Sequence, residues 1–66
     1  DYIQIKVINI LGETIEKIFS GYLEADVHSF KWDGRDNNSN IVSSGLYFIQ
    51  LEYNKSKHLQ KIMYIK

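Results

Sequence analysis

Apolar and polar residues alternate along most of this chain. Over residues 2–10, Ile3, Ile5 and Val7 fall on one side and Gln4 and Lys6 on the other. That is the period of a half-buried β-strand. Ile8 and Ile10 add apolar residues to the second side, which is therefore expected to be half covered as well. Leu11-Gly12-Glu13 carries a turn signal. Over residues 27–32, His28, Phe30 and Trp32 alternate with Val27, Ser29 and Lys31, predicting a strand with an aromatic face. The run from Asp33 to Asn40, DGRDNNSN, is a dense cluster of turn formers. Ile41-Val42 then predicts a short edge strand, and Ser43-Ser44-Gly45 a second break. Over residues 45–53, Tyr47, Ile49, Leu51 and Tyr53 share one face and Phe48 lies opposite. Residues 54–57 predict a hairpin loop. In the closing stretch, 58–66, Leu59, Met63 and Ile65 share one face and Ile62 and Tyr64 the other, so this strand is expected to be covered on both sides.

One segment fits two templates. Leu11, Ile15, Ile18, Phe19 and Tyr22 fall at helical spacing. The stretch is nevertheless bounded by Gly12 and Gly21, short for a helix without support, and the β-branched Thr14, Ile15 and Ile18 favour a strand. The residues alone leave both open. The other segments place strands about 8–12 residues apart with turns between them, the rhythm of a β-sandwich.

Composition narrows the function. The 66 residues allow one small domain, 1–66, near the lower limit for a self-sufficient core. There is no Cys, which excludes disulfide staples and thiolate metal sites. Nine aromatic residues can supply much of the burial instead. Net charge is zero, which argues against a broad electrostatic grip on nucleic acid. No apolar run reaches the ~18–20 residues of a membrane-spanning helix. The chain opens on Asp1 rather than Met and shows no signal-peptide pattern, so a processed product or part of a longer protein is expected. The charge is uneven along the chain: residues 1–52 carry eight acids against four bases, net −4, and residues 53–66 carry four lysines and no acid, net +4. A basic end on a neutral domain marks either a docking surface or a sheet edge guarded by lysines.

Candidate chemistry is sparse. There is no G-x-S-x-G, no glycine-rich phosphate loop and no H-E-x-x-H. Ser29 and His28 are strand neighbours and point to opposite faces, so they make no dyad. His28, beside Phe30 and Trp32, is expected to be a packed imidazole, and His58 a solvated one. Read as a calcium loop from Asp36, Asn38 and Asn40 supply oxygen donors, but Ile41 stands where a glycine must turn the chain and Tyr47 where a bidentate acid is needed. Asp33 and Asp36 are instead expected to accept backbone N–H groups in Asx-turns. Tyr2, Tyr22, Trp32, Phe48, Tyr53 and Tyr64 would form a sugar-stacking platform only if exposed together, and most are expected in the core. No cofactor, metal or catalytic residue is assigned.

The order of these marks is similar to a known module. Ile3-Gln4-Ile5-Lys6-Val7 runs into Asn9-Ile10-Leu11-Gly12-Glu13. His28-Ser29-Phe30-Lys31-Trp32-Asp33-Gly34-Arg35-Asp36 follows, then Ser43-Ser44-Gly45-Leu46-Tyr47-Phe48, and the chain ends on Lys61-Ile62-Met63-Tyr64-Ile65-Lys66. This resembles the C-terminal sorting domain of proteins exported by the Bacteroidota type IX secretion system, and its relative, the immunoglobulin-like domain of flagellar hook-capping proteins. The resemblance covers nearly the whole chain. It implies an all-β fold, a small immunoglobulin-like antiparallel β-sandwich of about six to seven strands, and turns residues 14–19 toward a strand. The family usually opens with a further strand and an Asn-Pro-rich entry. This chain has no Pro, so the first strand is either upstream of Asp1 or missing.

The resemblance implies a non-catalytic C-terminal sorting module. It would direct export of a larger passenger through the periplasm to the surface of a Gram-negative bacterium, read by a secretion translocon and a sortase-like peptidase. The alternative is a structural immunoglobulin-like assembly module of the hook-capping kind, or an accessory domain packed on an enzyme; a carbohydrate-binding module comes third. The motif residues receive structural roles. Gly12 is expected at positive φ and Trp32 at the core between sheets. Gly34 reverses the chain after Asp33, ahead of Asp36. Gly45 allows a close approach before Tyr47, whose hydroxyl is expected to bond backbone as in a tyrosine corner. The docking face is assigned to the basic last strand, through Lys61 and Lys66.

Overall fold

The structure is a computed structural model that describes residues 2–23 and 29–66. Four strands form one antiparallel sheet: β1 (Tyr2–Ile8), β2 (Thr14–Tyr22), β3 (Gly45–Tyr53) and β4 (Ser56–Tyr64). Their order across the sheet is β2-β1-β3-β4, and no helix occurs among the described residues. The fold is therefore all-β and antiparallel. β1 is central because its alternation is the cleanest: Ile5 and Val7 are buried, Val7 completely. Across the sheet Ile5 lies opposite Leu51 and Val7 opposite Ile49, so the apolar sets of β1 and β3 share one face.

β2 resolves the segment that fitted two templates. It pairs with β1 through two register shifts, one between Ile5 and Lys6 and one between Val7 and Ile8. At each shift β2 carries one extra residue, Ile18 in the first and Ile15 in the second. A bulge shifts the phase of the alternation by one. Two bulges close together therefore turn a period of two into spacings of three and four, which imitate a helix.

The short connections follow from turn chemistry. Gly12 sits at φ +84° between β1 and β2. Asn9 folds this loop: its side-chain oxygen accepts from the amides of Leu11 and Glu13, both at 2.9 Å. The β3–β4 hairpin closes on two residues, Asn54 and Lys55, with Asn54 in the left-handed region and Tyr53 opposite Ser56. β4 thus starts earlier than the lysine-rich loop predicts, and Glu52 and Lys57, directly opposite, form an ion pair at 3.6 Å.

The long connection from β2 to β3 must cross β1, because β2 and β3 flank it. The crossing segment supplies the layer over the apolar face. Two expected strands take another form here. Residues 29–32, the described part of the predicted 27–32 strand, are not in a strand; Val27 and His28 lie outside the described residues. The segment crosses over the sheet face rather than along an edge, so its aromatics plug the face and its backbone has no ladder to join. Ile41-Val42 shrinks to one bridge, Arg35 to Ile41, with the Val42 amide bonded to the Gly34 carbonyl at 2.9 Å. β4 also differs from expectation. It is an edge strand, and Leu59, Met63 and Ile65 are 59%, 66% and 77% exposed, so only its Ile62 and Tyr64 side is covered.

Candidate functional site

The best-defined constellation lies where the crossing segment meets the sheet. The Trp32 ring packs against Tyr47 from β3 and Tyr64 from β4, each with centroids 5.3 Å apart, tilted or edge-on as aromatic pairs prefer. Tyr47 is in the buried core and Trp32 and Tyr64 are half-buried. Two of the polar tips have backbone partners. The Trp32 indole N–H donates to the Arg35 carbonyl at 2.9 Å, and the Tyr47 hydroxyl donates to the Ser43 carbonyl, four residues upstream, at 2.7 Å. Farther along the segment Phe30 meets Phe19 of β2 at 5.1 Å.

Gly34 makes the close approach possible. It is buried at φ +77°, and a Cβ built there would overlap the Tyr64 ring. A side chain would be both strained and obstructed. At Gly45, by contrast, an added Cβ meets nothing within 4 Å, so the close approach belongs to Gly34.

The DGRDNNSN cluster folds on itself. Asp33 accepts from the Arg35 amide at 3.2 Å, and one oxygen of Asp36 accepts from the amides of Asn38 and Asn40 at 2.9 and 3.0 Å. The bonds from Arg35 and Asn38, each two residues on, are of the Asx type. Arg35 donates from its guanidinium to the Ser39 carbonyl at 2.8 Å. The folded cluster then reaches β2. The Asn37 amide donates to the Ile15 carbonyl at 3.0 Å, and its side-chain oxygen accepts from the Lys17 amide at 3.3 Å. Asn37 thereby stands in for one residue of a neighbouring strand on the outer edge of β2. A run of turn formers gives no sequence signal for this, since the partner is 20 residues away.

This cluster also surrounds Glu16. Burial raises the Glu16 carboxyl above the ordinary carboxylate range, the negative charges of Asp33 and Asp36 raise it further, and a hydrogen bond from Trp32 acts the other way. Among the described residues no group of three His, Asp or Glu side chains is placed to hold a metal ion.

The remaining candidates are dispersed. His58 is exposed and stacks on Tyr53, with centroids 5.7 Å apart and planes 13° apart. His28 lies outside the described residues. The six aromatics of a conceivable sugar platform do not share a plane. Trp32, Tyr53 and Tyr64 belong to the covered face, Phe48 to the opposite one, and Tyr2 and Tyr22 form an edge-to-face pair at 5.1 Å. An open cavity of about 380 Å³ is lined mostly by apolar groups, including Ile18, Phe30, Trp32 and Leu51. Lys61 is exposed opposite Phe48, and the Lys66 amide donates to the Ser44 hydroxyl at 3.0 Å. The polar groups of this region mainly bond backbone.

Residues 1–57 match the family model described as FlgD Ig-like domain. No curated protein and no solved structure gives a significant match.

Two outcomes follow from this geometry. Gly34→Ala combines left-handed strain with overlap against Tyr64, together worth about 2–5 kcal/mol. That is comparable to the total stability of so small a domain, so thermal melting by circular dichroism should show a largely unfolded variant at 25 °C. A melt within a few degrees of the parent would remove Gly34 from the core. For Glu16 the sign is fixed by the raised pKa. At neutral pH the carboxylate is charged in both states and the folded state carries the extra cost. Below the unfolded-state pKa it is neutral in both and the cost is gone. Glu16→Gln should therefore raise Tm at pH 7 and leave it unchanged near pH 3; a lowered Tm at pH 7 would contradict the assignment.

Proposed function

The chain belongs to the FlgD Ig-like domain family, and on that premise we propose that it is a non-catalytic structural module within a larger protein. The family match over residues 1–57 carries this reading. The site chemistry supports it: the carboxylates of Asp33 and Asp36 fold the crossing segment on itself, the Tyr47 hydroxyl and Asn37 hold it to the sheet, and the ring packing is aromatic. Such a module works by shape and by the surfaces it offers to a neighbour. The face opposite Trp32 offers one, with Ile8, Leu46 and Phe48 half-exposed on adjacent strands.

A second reading, a sorting signal read by a type IX translocon and followed by a sortase-like peptidase, draws on one observation. The basic last strand is the sheet edge and leaves Lys61 exposed. One experiment separates the readings. Residues 1–66 are fused behind a signal peptide and a fluorescent passenger in a bacterium that has type IX secretion. The structural-module reading expects a folded, fluorescent passenger retained in the periplasm, whether or not Lys61 and Lys66 are changed to Gln. Arrival of the passenger at the surface, lost in the double Gln variant while the fold survives, would overturn it in favour of sorting.

A further inference from the structure

The two edges of the sheet differ. β2 is occupied on its outer side by Asn37, which bonds both Ile15 and Lys17. β4 is nine residues long, and among the described residues no backbone group bonds to its outer side. The hairpin fixes which groups are left over. Tyr53 and Ser56 flank a two-residue turn, so they exchange hydrogen bonds, and the unshifted register repeats this at every second residue. The amides and carbonyls of Lys57, Leu59, Lys61 and Met63 therefore point away from β3, toward the free edge. Their side chains lie together on the face opposite Trp32, and all four residues are exposed.

We propose that this edge takes up an extended acidic peptide as a fifth strand. Backbone pairing supplies the attachment and the side-chain row supplies selectivity. Residues directly opposite each other across a sheet share a face, so the row of lysine, leucine, lysine, methionine calls for acid and apolar side chains alternating at every second position of the guest. Lys57 is already paired with Glu52. Lys61 lies opposite Phe48, with no carboxylate across from it, and is the cation that a guest acid would meet. Charge decides among the occupants. A second copy pairing through β4 would bring together two segments that each carry net +4. Pairing β4 of one copy with β2 of another would have to displace Asn37. The lysines that keep like edges apart thus select an acidic strand.

The inference deepens the structural-module reading, and its test separates the two: failure here removes the edge as an attachment point and leaves the module. The 15N-labelled chain is titrated with the synthetic peptide Glu-Thr-Val-Thr-Glu-Thr-Val and with the same peptide carrying Lys for both Glu. Amide shifts should be confined to β4 and its β3 neighbours, and the amides of Leu59 and Lys61 should gain protection from exchange. The acidic peptide should bind at least about tenfold more tightly than the basic one at low salt. Lys61→Glu, a surface change that keeps the strand pairing, should reverse that preference. Leu59→Pro removes an outward N–H that β3 does not use, a substitution edges tolerate, and should abolish binding of the acidic peptide. The proposal is overturned by absence of shifts up to roughly 2 mM peptide, by equal binding of the two peptides, by shifts centred on Phe30 and Trp32, or by a dimer of the chain in sedimentation.

Discussion

The structure depends on the packing of Trp32 between Tyr47 and Tyr64. A single sheet of four strands has one apolar face to bury, and something must lie on it. Here that layer is an irregular segment of the β2–β3 crossing. Ring pairs of this kind add about 0.5–1.5 kcal/mol each beyond their burial. Ordering a backbone residue costs about 1–2 kcal/mol. The rings therefore cannot hold the segment unaided. The bonds that fold residues 33–42 on themselves, from Asp33, Arg35 and Asp36, share the task. Gly34 ties the two together, because only a residue without a side chain lets the turn lie against Tyr64.

The same segment gives the domain its asymmetry. Having crossed the face, the turn cluster ends on the edge of β2, where Asn37 takes the place of a strand residue. The other edge is left to β4. Among the described residues the sheet is therefore closed on one edge and open on the other. The uneven charge reinforces this, since the basic segment coincides with the open edge.

Much of the architecture was legible in the residues. The alternation of Ile3, Ile5 and Val7, and of Tyr47, Ile49, Leu51 and Tyr53, marked the strands that form the core, and the turn signals at Gly12 and Asn54 fell where the chain turns. The pattern was misleading where a tertiary partner overrides local period. The bulges at Ile15 and Ile18 disguised β2. Phe30 and Trp32 alternate as in a strand, yet serve as plugs, because a crossing segment has no free edge beside it. Leu59, Met63 and Ile65 alternate as in a core strand, yet face outward on the edge strand, since apolar alternation does not say whether a second layer covers it. The turn at Gly34 was visible in the run of turn formers. The role of Asn37 was not, because an asparagine among turn formers carries no mark of a distant partner.

Trp32 is the sole tryptophan of the chain, so fluorescence excited beyond the tyrosine absorption band reports on its packing. The direct test of the account is to follow urea unfolding by Trp32 emission and by far-ultraviolet circular dichroism on the same samples. If the crossing segment is the layer that the sheet requires, the two transitions coincide in midpoint and slope, as one cooperative unit demands. If Trp32 emission shifts to its solvated value at lower urea while the β signal persists, the sheet stands without its aromatic cover and the account is wrong.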